Sequence, residues 1–187
     1  MIDHTLGAIL IGGASTRMGT PKAELEYLGV PFVDHAVATL SLVVSDVVIS
    51  GGSYDGHLTA VPDTRQDGGP LAGILAALRH AEGRAVMVLA VDLPLVTVDL
   101  VSRLVEPRIA RSAVRVATDG TSTQPLCGVY GPAVESMIEG RLATGKGSVF
   151  GLLEAVDTVE YIHAEGHTLS NINTPEDFES LVGGGEL

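Results

Sequence analysis

The stretch Leu10-Ile-Gly-Gly-Ala-Ser-Thr-Arg-Met-Gly-Thr-Pro-Lys22 directly follows an apolar run that reads as a β-strand. Its glycines, at positions 12, 13 and 19, carry no Cβ atom, so that backbone N–H groups can approach phosphate oxygens or the edge of a base. Arg17 and Lys22 add positive charge to the same loop. The stretch therefore predicts a cradle for the phosphates of a nucleoside triphosphate.

Two better-known phosphate-binding loops do not fit this stretch. The P-loop pattern requires Gly-Lys followed by Ser or Thr, whereas Lys22 follows Pro21 and precedes Ala23. The dinucleotide-binding pattern requires Gly-x-Gly-x-x-Gly, whereas the first two glycines of this loop are adjacent. What remains is Gly-Gly-x-Ser-x-Arg-Met-Gly-x-x-Lys, for which the alternative interpretation is a glycine-rich turn with surface cations.

The composition excludes several classes of protein. A chain of 187 residues with 45% apolar residues has the size of one domain with a substantial core, and we expect a single domain over 1–187 with a frayed tail at 183–187. The net charge of −12 argues against a nucleic-acid-binding protein, which needs a basic surface. It makes the two lysines, Lys22 and Lys146, more informative, because an anionic substrate needs local cations.

Cysteine usage and apolar runs point to a soluble, cytoplasmic protein. Cys127 is the only cysteine, so no intramolecular disulfide can form, and a reducing compartment is expected. The N-terminal residues 1–5 lack the basic region of a signal peptide, and no apolar run approaches the roughly 18 residues of a membrane span.

Strand-like and helix-like runs alternate along the chain. This order predicts an α/β sandwich around a mostly parallel sheet. The predicted strands are Leu6–Ile11, Asp46–Ser50, Ala85–Val91, Ala113–Ala117, Pro125–Tyr130 and Val159–His163. The predicted helices are Phe32–Val43, Leu71–Ala81, Asp99–Glu106, Ala133–Glu139, Val149–Ala155 and Pro175–Val182.

Glycine-rich or polar segments follow three of the predicted strands. The loop described above follows the first strand, Gly51-Gly-Ser53 follows the second, and Asp92-Leu-Pro-Leu95 follows the third. Ligands of open α/β sheets collect at the carboxyl ends of the strands. The convergence therefore predicts one binding site at this edge of the sheet.

Asp92 emerges at the end of a buried strand, and Pro94 prevents the strand from continuing. Such a position suits a ligand of Mg²⁺, which takes few protein carboxylates and completes its shell with water and phosphate oxygens. The alternative is a strand-end aspartate that caps the turn.

Two further clusters combine glycine, proline and polar residues. Asp63 precedes Gly68-Gly-Pro-Leu-Ala-Gly73, where Pro70 is predicted to begin a helix and the glycines before it would let a base or ribose pack closely; a structural turn is the alternative. Near the end of the chain, Asn171 and Asn173 alternate about Ile172 and so point the same way from an extended segment. Thr174, Pro175 and Asp177 are explained by capping of the last helix.

These motifs together resemble the pyrophosphorylase-type nucleotidyltransferases, and most closely the molybdenum cofactor guanylyltransferases of the MobA family. The resemblance covers nearly the whole chain. It implies a three-layer, Rossmann-like fold of the nucleotide-diphospho-sugar transferase type. It also implies transfer of GMP from GTP to the phosphate of molybdopterin, with Mg²⁺, release of pyrophosphate, and other molybdenum cofactor biosynthesis proteins and target apoenzymes as partners.

The resemblance also implies roles for individual residues. Nucleotide contacts are implied for Leu10, Ile11, Gly12, Gly13, Lys22, Ser50, Asp63, Gly69, Pro70, Leu71 and Asp92. Catalytic roles are implied for Arg17, Lys22 and Asp92, with Asp92 as the metal ligand and Asn171 and Asn173 near the metal or the second substrate. Ser50 stands where some members carry a nucleotide-contacting asparagine, and Thr123–Tyr130 corresponds to a stretch beside the pterin, although it also reads as a buried strand. Arg141 and Lys146 suggest a cationic lid, with solvated loop residues as the alternative.

Three alternative functions remain open from the sequence. The nearest are a CTP-dependent molybdopterin cytidylyltransferase and a GTP-dependent transferase for another phosphorylated acceptor, such as phospholactate. Gly12-Gly13 and the asparagines at 171 and 173 favour guanine by the same likeness. A nucleotide-binding carrier or sensor without catalysis would be expected to lack the metal aspartate or the loop lysine, and both are present.

Overall fold

The computed structural model describes residues 1–11, 25–52, 57–65, 68–172, 176–177 and 179–180. Within them, strands and helices alternate as the apolar pattern predicts. The strands are β1 (Thr5–Leu10), β2 (Glu26–Tyr27), β3 (Val30–Pro31), β4 (Val47–Ser50), β5 (Thr59–Val61), β6 (Ala85–Ala90), β7 (Ala113–Thr118), β8 (Thr123–Tyr130) and β9 (Thr158–His163). The helices are α1 (Phe32–Ser41), α2 (Pro70–His80), α3 (Val98–Val105), α4 (Val134–Ala143) and α5 (Val149–Ala155).

Seven strands form one sheet in the order β5-β4-β1-β6-β8-β7-β9, and β2 and β3 form a separate hairpin. β8 runs antiparallel to its neighbours β6 and β7, and the other pairings in the sheet are parallel. The prediction of a mostly parallel sheet is confirmed. As a result the carboxyl ends of β1, β4 and β6 and the beginning of β8 lie at the same edge.

Helices cover both faces of the sheet, which gives the three layers. α1 and α3 contribute to the hydrophobic cluster on one face, and α2, α4 and α5 contribute to the cluster on the other. Every residue of β1 and β6 is buried. Central parallel strands covered on both faces read as continuous apolar runs, which is why both strands were recognisable in the sequence.

Local sequence signals explain where several helices begin. Pro70 is the first residue of α2, as predicted, and follows Gly69, whose φ of +57° is a conformation that glycine adopts readily. α3 begins after Thr97, whose side chain accepts a hydrogen bond from the backbone N–H of Leu100. No described helix is long and apolar enough to cross a membrane.

Some element boundaries differ from the prediction. α4 was predicted to end at Glu139, before Gly140, but it continues to Ala143. It does so because Val134, Ile138 and Leu142 form a buried stripe at a spacing of four residues. β5 and the β2–β3 hairpin were not predicted, because their strands are only two or three residues long. Of the predicted helix Pro175–Val182, only residues 176, 177, 179 and 180 are described, and they are helical; the predicted frayed tail, 183–187, lies outside the described residues.

A buried arginine connects the last strands to α3. Arg115, in β7, is 3% exposed and donates hydrogen bonds to the backbone carbonyls of Leu104 and Pro107, both at 2.7 Å. Its Nε donates to Oε2 of Glu160, its direct neighbour in β9, also at 2.7 Å. The buried charge is therefore paired with a carboxylate and hydrogen-bonded to two carbonyls, as its burial requires.

Candidate active site

The ends of β1, β4 and β6 stay hydrogen-bonded beyond the last strand residues. The backbone N–H of Ile11 donates to the carbonyl of Ser50 at 3.0 Å, and the N–H of Val91 donates to the carbonyl of Leu10 at 3.1 Å. The three segments that leave these strands therefore start side by side. This is the edge at which the sequence analysis placed a binding site.

Asp92 follows β6 at this edge and is partly exposed. The chain turns immediately after it, with the N–H of Leu93 bonded to the carbonyl of Ala90 at 3.3 Å. The backbone carbonyl of Asp92 accepts a hydrogen bond from the N–H of Ile172 at 2.9 Å. This bond brings the segment that contains Asn171 next to Asp92.

The side chain of Gln124, at the start of β8, donates a hydrogen bond through Nε2 to Oδ1 of Asn171 at 3.0 Å. β8 is irregular just after this point, because its register against β7 shifts between Val116 and Ala117. The buried hydroxyl of Tyr130 donates to the carbonyl of Pro125 at 2.7 Å and so ties down the irregular segment. Gln124 was not named individually in the sequence analysis, although it belongs to the stretch Thr123–Tyr130 that the resemblance places beside the pterin.

Asp63 lies against the N-terminal half of α2. Its Oδ1 is 3.4 Å from Oγ of Ser50, and the neighbouring Thr64 donates through Oγ1 to the carbonyl of Ala72 at 3.4 Å. A Cβ on Gly73 would lie only 3.3 Å from Oδ1 of Asp63, so glycine at 73 makes this approach possible. Burial raises the pKa of the Asp63 carboxyl above its ordinary value, and the hydrogen bond from Ser50 partly opposes this.

The structure divides the other expected nucleotide contacts into two groups. Gly69 and Pro70 are exposed at the start of α2, where a ligand can reach them. Leu10, Ser50 and Leu71 are buried, at 7%, 0% and 0% exposed, so Ser50 and Leu71 present no surface for direct contact with a nucleotide. Gly12, Gly13, Arg17, Lys22 and Asn173 lie outside the described residues.

The two cations of the expected lid lie in different elements: Arg141 is in the last turn of α4, not in a loop as predicted, and Lys146 is in the loop after α4. Lys146 is exposed, whereas the guanidinium of Arg141 packs so closely on Gly151 that a Cβ there would overlap Nη2. A Cβ on Gly147 would lie 3.4 Å from the carbonyl of Gly68. This loop therefore runs beside the segment that leads into α2, on the Asp63 side of the edge.

Oxygen donors at this edge suit a divalent cation such as Mg²⁺. Asp92 offers a carboxylate and Asn171 an amide oxygen, and hard oxygen ligands are what Mg²⁺ prefers. Within the described part of the chain, no three His, Cys, Asp or Glu side chains come together as a metal site. Mg²⁺ can be held by a single protein carboxylate, since phosphate oxygens and water complete its shell.

Comparisons with known proteins agree with this architecture. A family model described as a MobA-like NTP transferase domain matches residues 7–159. A Deinococcus radiodurans protein named "Probable molybdenum cofactor guanylyltransferase" is 35% identical over 183 residues, which cover 96% of this chain and 94% of the relative.

Solved structures share the fold. Molybdopterin-guanine dinucleotide biosynthesis protein A of Archaeoglobus fulgidus superposes with a TM-score of 0.80 at 23% identity, covering 95% of this chain and 97% of that one. The Mycobacterium tuberculosis protein Rv0371c, solved in complex with manganese, superposes with a TM-score of 0.74 at 18% identity, covering 98% of this chain and 100% of its own. Because the family model spans most of the chain and the bacterial relative aligns over nearly all of it, this protein belongs to the MobA-like NTP transferase family.

Proposed function

We propose that this protein transfers GMP from GTP to the phosphate of molybdopterin, releasing pyrophosphate and forming molybdopterin guanine dinucleotide. The observation that carries the proposal is the arrangement of two polar groups at one sheet edge: Asp63 against α2, and Asp92 with Asn171 and Gln124 beyond β6. One group can take the nucleoside and the other the reacting phosphates and the acceptor. The family and the names of its curated relatives point to the same reaction.

Asp63 is the residue to which we assign guanine recognition. A carboxylate accepts two hydrogen bonds side by side, and the N1–H and 2-amino group of guanine offer two donors in that geometry. Cytosine has no such pair of adjacent donors, and neither has adenine. A carboxylate at the start of α2 therefore favours GTP.

Asp92 is the residue to which we assign the divalent cation, with the amide oxygens of Asn171 and Asn173 as neighbouring donors. When bound, the cation would supply positive charge to the triphosphate. Manganese in the solved Rv0371c structure agrees with divalent metal use in this fold. Arg17 and Lys22, in the glycine-rich loop, are assigned to the triphosphate, where they would stabilise charge that moves to the leaving pyrophosphate.

Catalysis in this proposal is positioning and charge neutralisation. The attacking phosphate of the acceptor is already anionic, so no general base is needed. Holding it in line with the α-phosphorus converts a bimolecular step into one within a complex. Gln124 and Asn171 are assigned to the acceptor side of this arrangement.

The test is pyrophosphate release by the purified protein with Mg²⁺ and molybdopterin, with GTP, CTP, ATP and UTP compared in parallel. Reactions without molybdopterin and reactions with EDTA in place of Mg²⁺ are the controls. Release with GTP alone, dependent on both acceptor and metal, is the expected result. Pyrophosphate release with CTP would overturn the assignment of guanine as the base. Binding of GTP without pyrophosphate release would overturn the assignment of molybdopterin as the acceptor, or the enzymatic role itself.

A further inference from the structure

The hydroxyl of Ser50 is enclosed at the carboxyl end of β4. Ser50 is 0% exposed and is one of three buried polar or charged residues among those that the structure describes. Its Oγ lies 3.2 Å from the carbonyl oxygen of Gly73 and 3.4 Å from Oδ1 of Asp63. A side chain without exposed surface cannot touch a base in the cleft, so its effect must pass through a neighbour.

The single proton of this hydroxyl has two acceptors within reach. The Gly73 carbonyl lies inside α2, where the helical pattern already supplies an N–H donor one turn further on. The Asp63 carboxylate, when ionised, is the stronger acceptor of the two. The Gly73 carbonyl oxygen lies slightly closer, at 3.2 Å against 3.4 Å, but the charge of the carboxylate makes its hydrogen bond with Ser50 the stronger one.

Asp63 is exposed, but the space between its carboxylate and α2 is tightly packed. A Cβ on Gly73 would lie 3.1 Å from Cδ2 of Leu10, 3.2 Å from Oγ of Ser50 and 3.3 Å from Oδ1 of Asp63. Thr64 and Arg65, which follow Asp63, are themselves bonded to the carbonyls of Ala72 and Leu142. These side-chain bonds anchor the segment after Asp63, and the Ser50 hydroxyl, 3.4 Å from Oδ1, is positioned to limit rotation of the carboxylate.

We propose that Ser50 is a positioning residue that fixes the plane of the Asp63 carboxylate, so that both of its oxygens face the N1–H and 2-amino group of guanine. This inference rests on the proposed function, in which Asp63 reads the base. It replaces a direct contact between Ser50 and the nucleotide. A carboxylate that rotates freely would keep one hydrogen bond to the base and lose the second.

The test measures dissociation constants by calorimetry for GTP and for ITP, which lacks the 2-amino group, in the presence of Mg²⁺. The proteins compared are wild type, Ser50→Ala, Asp63→Asn and the double variant. Ser45→Ala is the control, because it removes a hydroxyl at the other end of β4, where Oγ bonds the carbonyl of Ile2 at 3.2 Å. Ser50→Thr, which keeps a hydroxyl, tests rescue, and a melting temperature is recorded for every variant.

Wild type and Ser45→Ala should bind GTP about tenfold or more tightly than ITP, the factor that one hydrogen bond to a charged group provides. Ser50→Ala should reduce this ratio to within about threefold of unity, and Ser50→Thr should restore it. In the Asp63→Asn background, adding Ser50→Ala should leave the ratio unchanged. A purely structural role would lower the melting temperature and weaken both nucleotides equally.

An unchanged GTP-to-ITP ratio in folded Ser50→Ala overturns the positioning role, and so does equal binding of GTP and ITP by wild type. If Ser50→Thr unfolds, the double-variant comparison still decides. Pyrophosphate release is measured separately on wild type. Absence of release with molybdopterin, together with the expected binding ratios, would overturn the proposed reaction and leave the role of Ser50 standing.

Discussion

The backbone N–H of Ile172 donates a hydrogen bond to the backbone carbonyl of Asp92 at 2.9 Å. Ile172 is 3% exposed and packs in the hydrophobic cluster to which α1 and α3 contribute. Core packing therefore helps to fix this contact. The bond joins the segment that follows β6 to the segment that follows β9. It sets the position of Asn171 relative to Asp92, which neither residue's own strand or loop would determine.

Asp92→Asn should lower kcat for pyrophosphate release by about 100-fold, because weakening the charge at the metal removes several kcal/mol of transition-state stabilisation. The melting temperature should change little, since Asp92 is partly exposed and its backbone bond to Ile172 is kept. The rate is measured against Mg²⁺ concentration, and the half-saturating concentration should rise.

Asp157→Asn is the matched control for this variant. Asp157 is exposed and precedes β9, at the opposite edge of the sheet from Asp92, and its loss removes the same charge. It should leave kcat and the Mg²⁺ dependence unchanged. Full activity of Asp92→Asn at ordinary Mg²⁺ would remove Asp92 from the metal site.

Gln124→Ala should raise the KM for molybdopterin by about 5- to 10-fold while leaving the KM for GTP unchanged, since one hydrogen bond is worth about 1 kcal/mol. The physical reason is the bond from Nε2 of Gln124 to Oδ1 of Asn171, which fixes the amide beside Asp92. Initial rates are measured with each substrate varied in turn. In an Asn171→Ala background the same change should have a smaller effect, and an increase in the KM for GTP instead would place Gln124 on the nucleotide side.

The sequence was sufficient to predict the buried strands and the edge where their loops meet. β1 and β6 are continuous apolar runs, and Pro70 at the start of α2 is a local signal. The position of Asp92 at this edge could be predicted because Asp92 directly follows a buried strand. Each of these inferences depends only on neighbouring residues.

Contacts between distant segments could not be predicted in this way. The bond from Gln124 to Asn171 depends on β8 running antiparallel beside β6 and on its irregular register against β7. The burial of Ser50 depends on how closely α2 approaches β4, which Gly73 permits. β5 was missed because three largely exposed residues carry too little apolar pattern.

Gly73→Ala should weaken GTP binding by several-fold, because the new Cβ would crowd both Ser50 and Asp63 at 3.2–3.3 Å. Gly140→Ala is the matched control. Gly140 also lies inside a helix, α4, but a Cβ there meets nothing within 4 Å. That change should leave binding intact and increase the free energy of unfolding by up to about 1 kcal/mol through helix propensity. Calorimetry and urea unfolding check the two expectations, and equal GTP affinity in both variants would contradict them.

Arg115→Met should lower the free energy of unfolding by about 2 to 4 kcal/mol, because it leaves Glu160 and the carbonyls of Leu104 and Pro107 without their donor. Arg103→Met is the control. Arg103 makes an exposed ion pair with Asp99 at 2.9 Å and an exposed hydrogen bond to the carbonyl of His163 at 3.0 Å, and exposed contacts of this kind are worth about 1 kcal/mol or less each. Urea unfolding measures both, and similar losses in the two variants would show that burial of Arg115 does not determine its contribution.

Asp63→Asn should exchange the preference for GTP for a preference for XTP. The Asn amide can donate to the 2-oxo group of xanthine and accept from N1–H, whereas it cannot accept from the 2-amino group of guanine with its N–H₂ end. The nucleotide dissociation constants at neutral pH measure this exchange. Asp157→Asn, with the same change of charge, should keep the wild-type preference.

The pH dependence of the same variants gives a second measurement. Because burial raises the pKa of Asp63 in the folded protein, its ionisation costs stability, and that cost is absent below the unfolded-state pKa and complete above the folded-state pKa. Asp63→Asn should therefore be more stable than wild type at neutral pH, with a difference that disappears as the pH falls towards 3.8. GTP affinity of wild type should fall over the same acidic range, since only the ionised carboxylate accepts both hydrogen bonds, while that of Asp63→Asn should not. A GTP affinity that falls equally in both proteins would assign the acid loss to another group and leave Asp63 without a role in reading the base.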